Sequence, residues 1–459
     1  MERNSQKQNL GEDPVGPLLL KLAIPTIIAQ IVNLLYNLVD RIYIGHIPEV
    51  GDMALTGLGL CFPVIMMITA FSSLIGAGGA PRAAIYMGKG DMDSAEQILG
   101  NCTAMLFGLS IALTVLLESG GPAILRLFGA SDNTFPYAIS YMRIYVFGTI
   151  CVMTTLGLNM FVTTQGFSKI SMMTVLIGAV LNIILDPIFI FVLGMGVQGA
   201  ALATILSQGV SALWVLRFLT GKKTRLKIRP VKMRVRRKVI LPVLALGVAP
   251  FIMNLTESLL NVAFNSSLAK FGGDAAVGAM TILSSIMQLQ FLPVQGLGQG
   301  AQPLISFNYG AGKIDRVKKT FRILLASSLV YTLIFWLMVE LFPGIFVRLF
   351  NNNSPTLISL TKWALRIYMG ASGLFGIQMA VQQTFMALGQ AKLSLLIACL
   401  RKVILLIPLI YILPFFFANK VFAVFLAEPV ADLLSVVTAG TLFTLNINKI
   451  LAKPALERA

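Results

Sequence analysis

Carboxylates are scarce inside the long apolar stretches of this sequence, and the few present define what chemistry it can do. Asp40 lies in NLVDRIYIG, Asp186 in LNIILDPIF, Glu257 in NLTESLL, and Glu428 and Asp432 in LAEPVADLL. An Asp at the centre of a bilayer-spanning helix costs roughly 2.5 to 3.5 kcal/mol on insertion scales, so such groups need a reason to be there. Asn182 and Asp186 are four apart and share one helix face. Pro187 lacks an amide hydrogen, which frees a carbonyl one turn earlier. Carboxylate, amide oxygen and freed carbonyl form an oxygen-rich corner suited to a hard cation or a relayed proton, and Thr204 on the next helix adds a hydroxyl. The alternative for each acid is structural, a buried Asp that ties helices together by hydrogen bonds. Asp40 and Asp186 are read here as functional, and Glu257 stands evenly between the two readings. Glu428 and Asp432 are assigned to interfacial or N-terminal positions of the last helix, where the helix dipole favours acids.

Other polar residues in apolar surroundings are fewer in kind. Gln288, Gln290, Gln295 and Gln299 in one predicted helix, with Gln378, Gln382 and Gln383 in another, are expected to line a wet cavity. Arg143 and Arg366 are expected to make structural pairs with carboxylates or helix-end carbonyls. Asp40 and Arg41 point about 100° apart on a helix and are poor partners for each other. The 29 Phe and 21 Met supply deformable apolar surface of the kind promiscuous sites use, although most such residues simply face lipid. One histidine, His46, and four scattered cysteines give no zinc, haem or disulfide framework. No GxxxxGK[ST], GxSxG or HExxH is present, so no enzyme is indicated and ATP is not the evident energy source.

The elements that must hold these residues follow from composition. The chain has 459 residues, 56% hydrophobic and 12% charged, against about a quarter charged in an ordinary soluble domain. Its mean hydropathy of +0.82 excludes a disordered chain. An integral membrane protein remains. Helices are predicted near 18–44, 53–80, 95–118, 135–161, 169–194 and 197–220, then near 239–266, 276–304, 318–342, 355–386, 392–417 and 420–446. Barrel strands are excluded because these apolar runs are too long and do not alternate. The N-terminal MERNSQKQNLGEDP lacks the regions of a signal peptide, so the first helix is expected to direct insertion.

Ten Lys or Arg and no acid fall between Lys222 and Lys238. Such a run stays cytoplasmic, and alternate loops carrying Arg82, Lys89, Lys169, Lys313, Lys318, Lys319, Lys392 and Lys449 share its side. Both termini are therefore expected in the cytoplasm. The net charge of +17 is not a nucleic-acid signature, because the cations gather on one side without interleaved aromatics. Two sets of six helices repeat each other: Pro25 matches Pro250, Pro81 matches Pro303, Gly88 and Gly90 match Gly310 and Gly312, Arg143 matches Arg366, and Gly166 matches Gly389. An even number of helices per copy gives parallel repeats, related by a pseudo-twofold along the membrane normal. The fold class is thus an all-α integral membrane protein with twelve transmembrane helices in two six-helix lobes: an N-terminal lobe over 1–220, a basic linker over 221–238, and a C-terminal lobe with a short tail over 239–459.

With VDRIYIG ending in Asp40-Arg41, GAGGAPRAAIYMGKGD, NIILDPIFIF and the repeat, nearly the whole chain resembles the MATE (multidrug and toxic compound extrusion) family, and most the bacterial multidrug-efflux members. The resemblance implies a sodium or proton site in the N-terminal lobe at Asp40, Asn182, Asp186 and Thr204. Another branch uses acids on helices 7, 8 and 10. Glu257 is a possible secondary acid of that kind, but helices 8 and 10 carry Gln instead. The expected function is a secondary antiporter that exports amphipathic, cationic compounds through a cavity lined by Gln288, Gln295, Gln299, Gln378 and Gln382, without a cofactor beyond the coupling ion. A bacterial inner-membrane location and a monomer are expected. The rival is a lipid or lipid-linked saccharide flippase, disfavoured because intramembrane cations are few. A receptor or scaffold would need neither buried acids nor the repeat, and a channel would show a charged ring or filter.

Overall fold

The computed structural model describes residues 9–350 and 355–452. The outermost residues, on which the expected placement of both termini partly rests, lie outside that range. Fifteen α-helices follow one another: α1 (Val15–Gly45), α2 (Gly51–Gly88), α3 (Met92–Leu127), α4 (Phe135–Phe147), α5 (Thr149–Thr164), α6 (Ser168–Pro187), α7 (Gly196–Thr220), α8 (Arg237–Gly310), α9 (Ile314–Leu341), α10 (Pro343–Arg348), α11 (Pro355–Tyr368), α12 (Phe375–Ala387), α13 (Ala391–Cys399), α14 (Ile407–Ile412) and α15 (Lys420–Leu451). Segments this apolar have no water to bond their backbone groups, and the helix satisfies those groups internally.

Nine of these helices, some with a π extension, are long and apolar enough to cross a membrane, and α4 with α5, bent by 56°, makes a further span. Helix α8 supplies two. As a single rod its 74 residues would run about 110 Å, several times a bilayer's hydrocarbon thickness. The chain reverses at Gly273, whose φ of 63° is left-handed and open to glycine. The sequence reading placed a loop near 267–275, and the structure shows a one-residue hinge between continuous helices. With α11 and α12 as one broken span, the described residues cross twelve times.

The two broken spans stop after the same repeated Arg-Ile-Tyr motif, and side chains replace the lost backbone bonds. Thr149 and Thr114 hydroxyls donate to the Val146 carbonyl at 2.6 and 3.1 Å. In the second copy Thr332 donates to the Gly373 carbonyl at 2.7 Å and Gln290 to that of Ser372 at 3.1 Å. Gln290 is therefore a buried clamp.

The pseudo-twofold is visible where the halves touch. A Cβ on Gly88 would lie 2.0 Å from the Phe307 carbonyl oxygen, and one on Gly310 would lie 2.0 Å from that of Ile85. Residues 85 and 307 are equivalent in the repeat, as are 88 and 310, so one contact is the other rotated. Further in, Thr26 donates to the Gly296 carbonyl at 2.6 Å, and Phe71 meets Phe251 edge-on at 5.0 Å. These contacts close the halves at the end where the linker lies. One apolar core runs from Ile44 to Val243 and another from Leu260 to Ala431.

The linker is strapped to the N-terminal half. The Gln165 side-chain oxygen accepts from the Arg225 and Leu226 amides at 2.7 and 2.8 Å. Glu96 binds Arg229 and Lys232 at 3.0 and 2.8 Å, and Asp93 binds Lys232 at 2.7 Å. Arg82, assigned to a loop from sequence, is instead buried within α2.

Candidate functional site

Helix α6 ends at Pro187, and the chain continues as a π-helical turn over Ile188–Val192. Proline cannot bond back, and π turns of this kind concentrate at functional sites. One turn before the break, the Asn182 amide donates to Asp186 Oδ1 at 3.1 Å and to Thr204 Oγ1 of α7 at 3.3 Å. Asp40 of α1 completes the group, its carboxyl within electrostatic reach of that of Asp186. Asp186 is fully buried, Asn182 is 2% exposed, and Asp40 and Thr204 are 9% exposed. The structure thus brings together all four residues of the sequence-predicted ion site. The neighbouring Arg41 is exposed, as the 100° step requires.

Three oxygens in this cluster have no hydrogen-bond partner: Asp40 Oδ1, Asn182 Oδ1 and Asp186 Oδ2. Buried acceptors left unmatched cost about 1 to 3 kcal/mol each, more for charged groups, so the arrangement asks for a bound cation or proton. Two facing carboxylates repel each other, and a species of single positive charge between them relieves that repulsion. Among the described residues no group of three or more His, Cys, Asp or Glu is placed to hold a metal ion. The donor set, carboxylate with amide and hydroxyl oxygens, fits a hard monovalent ion or a proton. Tyr36, Tyr141 and Tyr145 lie within electrostatic reach of Asp40, which the sequence reading did not anticipate.

The other sequence-selected residues distribute differently. Gln288 is exposed, and Gln295 and Gln299 are half-buried. Gln299 accepts from Gln30 of α1 at 3.1 Å, across the halves. Gln378 and Gln382 are 3% exposed, with Gln382 donating to the sulfur of Met253 at 2.9 Å. Arg143 and Arg366 are both exposed, and among the described residues neither has a carboxylate within ion-pair distance. Arg366 lies within electrostatic reach of Glu340 and lines a surface hollow with Arg348, Lys362 and Trp363.

The largest departure lies in the C-terminal half. Glu428 and Asp432 are 2% and 1% exposed, well inside α15, and not at an interface as the sequence reading placed them. Arg401 overrides the dipole argument by binding both, at 2.6 Å each. Its neighbour Lys402 pairs with Glu257 and donates to the Met253 carbonyl at 3.3 Å. Arg401 and Lys402 are two buried cations that the sequence reading did not single out. The signal was present in sequence: Arg401 and Lys402 interrupt an otherwise apolar run from Leu393 to Leu413.

A family model described as MatE matches residues 25–188 and again 250–412, starting on Pro25 and Pro250, the first proline pair of the repeat. The chain belongs to the MatE family. Among curated relatives it is 24% identical to the multidrug export protein MepA of Staphylococcus haemolyticus, over 92% of this chain and 93% of that protein. It is 27% identical to an FAD transporter of Shewanella oneidensis, over 86% of this chain and 87% of the relative. A crystal structure of MATE in the bent conformation superposes with a TM-score of 0.90 at 24% identity, covering 97% of this chain and 98% of the other. The MatE fold therefore extends over the full span of helices, as a multi-pass membrane transporter.

Proposed function

We propose that the protein is a secondary multidrug exporter of the cell membrane, in which inward movement of sodium ions or protons through Asp40 and Asp186 drives outward movement of amphipathic cations. The observation that carries this reading is the convergence of Asp40, Asn182, Asp186 and Thr204 with three unpartnered oxygens. Sodium and proton compete for the same oxygens. Occupancy changes the packing of α1 against α6, beside Pro25 and Pro187, and so favours one orientation of the lobes at 1–220 and 239–459. A potential of about 100 mV supplies roughly 2.3 kcal/mol per net charge moved, enough for a gradient of about fiftyfold. The basic run from Lys222 to Lys238 supports a cytoplasmic orientation for the closed end of the molecule. A monomer suffices, since one chain supplies Asp40, Asn182, Asp186 and Thr204.

The test is efflux of a fluorescent cationic dye from proteoliposomes under an imposed sodium gradient, and separately a pH gradient. Wild type is expected to export under at least one gradient, and Asp40→Asn to abolish export. A folded wild type that moves no dye under either gradient refutes the reading. Flavin nucleotide, the cargo named for the Shewanella oneidensis relative, is the control substrate, and lipid flipping the next assay.

A further inference from the structure

The charged cluster of the C-terminal half is built around an imbalance. Glu257, Glu428 and Asp432 face two cations, Arg401 and Lys402, so the ionised group carries one excess negative charge inside the bilayer. Arg401 donates through Nη2 to Glu428 Oε1 and through Nε to Asp432 Oδ1, with side-chain exposures of 8%, 3% and 1%. The second oxygens, Glu428 Oε2 and Asp432 Oδ2, have no partner. Phe375 covers the guanidinium at 5.1 Å, and Tyr368 of α11 lies within electrostatic reach of all three residues. Lys402 and Glu257 are the remaining charged groups acting on Glu428.

The placement follows from one irregular turn. Arg401 and Lys402 lie in a π segment, Leu400–Leu406. Consecutive side chains on a helix diverge, so Arg401 reaches α15 while Lys402 reaches α8. The Glu257 side chain is 49% exposed, which makes it the one carboxylate of the cluster that reaches the protein surface. An uncompensated charge at this depth is costly, and uptake of one proton by Glu428 or Asp432 brings the cluster to zero. A metal cation is the poorer occupant, because the guanidinium already holds one oxygen of each carboxyl and repels a second positive ion.

The geometry points to a second proton-binding centre, Arg401–Glu428–Asp432, connected to the protein surface through Lys402 and Glu257 and separate from the Asp40 site. As a coupling site it rests on the exporter reading; as a proton site it does not. Binding converts one carboxylate and one proton into one carboxylic acid, with no redox change.

The direct test is infrared titration of nanodisc-embedded protein carrying Asp40→Asn and Asp186→Asn, which silences the first site. A carboxylic acid carbonyl band is expected to grow on acidification, and to vanish when Glu428→Gln or Asp432→Asn is added. Either single replacement leaves the cluster neutral, so the protein is expected to stay folded, checked by thermal unfolding. Absence of the band, or its survival in both variants, overturns the proposal. In proteoliposomes with the potential clamped at zero, a pH gradient of one unit supports about a tenfold substrate ratio per coupled proton. Glu428→Gln alone is therefore expected to lower the limiting ratio about tenfold against wild type. An unchanged ratio overturns the coupling role, whereas a wild type inert under both gradients refutes the exporter reading and leaves the infrared band to decide the site.

Discussion

Replacing Arg401 with Met removes the one cation that neutralises Glu428 and Asp432 while keeping most of the side-chain volume. The guanidinium stem and the Phe375 contact are replaced by a thioether that packs on aromatic rings about as well, so packing changes by less than about 1 kcal/mol. Electrostatics then decide the outcome. Both hydrogen bonds are charge-assisted and 2.6 Å long, and both acids are at most 3% exposed. Removing one partner of a buried ion pair costs about 3 to 5 kcal/mol, because the abandoned charge stays desolvated. The penalty is expected to be largest at alkaline pH, where both carboxyls are ionised, and to shrink as acidification neutralises them. Reversible unfolding in mixed lipid–detergent micelles across pH 5 to 9 measures it. Combining Arg401→Met with Glu428→Gln and Asp432→Asn is expected to recover most of the loss, since a buried charge network replaced by neutral groups of similar shape is often near neutral in stability. A loss below about 1 kcal/mol for Arg401→Met, or no recovery in the triple variant, refutes the account of this cluster.

Other predictions concern the first site, the closed end and the strapped linker. Asn182→Ala removes the amide that holds Asp186 and Thr204 together, and is expected to reduce ion-driven dye efflux at least tenfold with a stability loss of only about 1 to 2 kcal/mol, measured by efflux and thermal unfolding in parallel. Gly310→Ala places a methyl 2.0 Å from the Ile85 carbonyl oxygen, so the halves must separate there. Cysteine accessibility at the linker end is expected to rise, at a cost of about 1 to 3 kcal/mol. Asp91 accepts from the Ser94 amide at 3.0 Å as the cap of α3, and the Ser94 hydrogen bonds hold its carboxyl below the usual carboxylate range. A carboxyl depressed in the folded state stabilises above the unfolded value of about 3.9, and that contribution is lost as pH falls through the folded value. Asp91→Ala is expected to cost about 1 kcal/mol at neutral pH and less in acid, by the same unfolding assay. Lys232→Ala breaks the ion pairs with Asp93 and Glu96, and faster proteolysis of the linker is the readout.

What was legible in the sequence is what lipid enforces locally. Long apolar runs have to be helices, so the spans around Asp40, Asp186 and Thr204 and the repeat of Pro25 with Pro250 were readable without coordinates. Two of the glycine pairs have a local reason: Gly90 with Gly312 and Gly166 with Gly389 all have positive φ, which side chains resist. The four residues of the first site could be grouped because three lie on two consecutive helices at fixed spacing and the fourth sits at a family motif. Helix breaks were less visible. The stop after Tyr368 depends on hydrogen bonds from other helices, such as Gln290 to the Ser372 carbonyl, which no local window contains.

Only the tertiary structure decided the character of the C-terminal half. Glu428 and Asp432 have the same local sequence whether they face headgroups or a buried guanidinium, and position in a helix alone favoured the headgroups. Arg401 lies 27 residues from Glu428 in sequence, and only the packing of α15 against the π segment brings them within 2.6 Å. The cost of burying a charge depends on its partner, and partners are assigned by the fold.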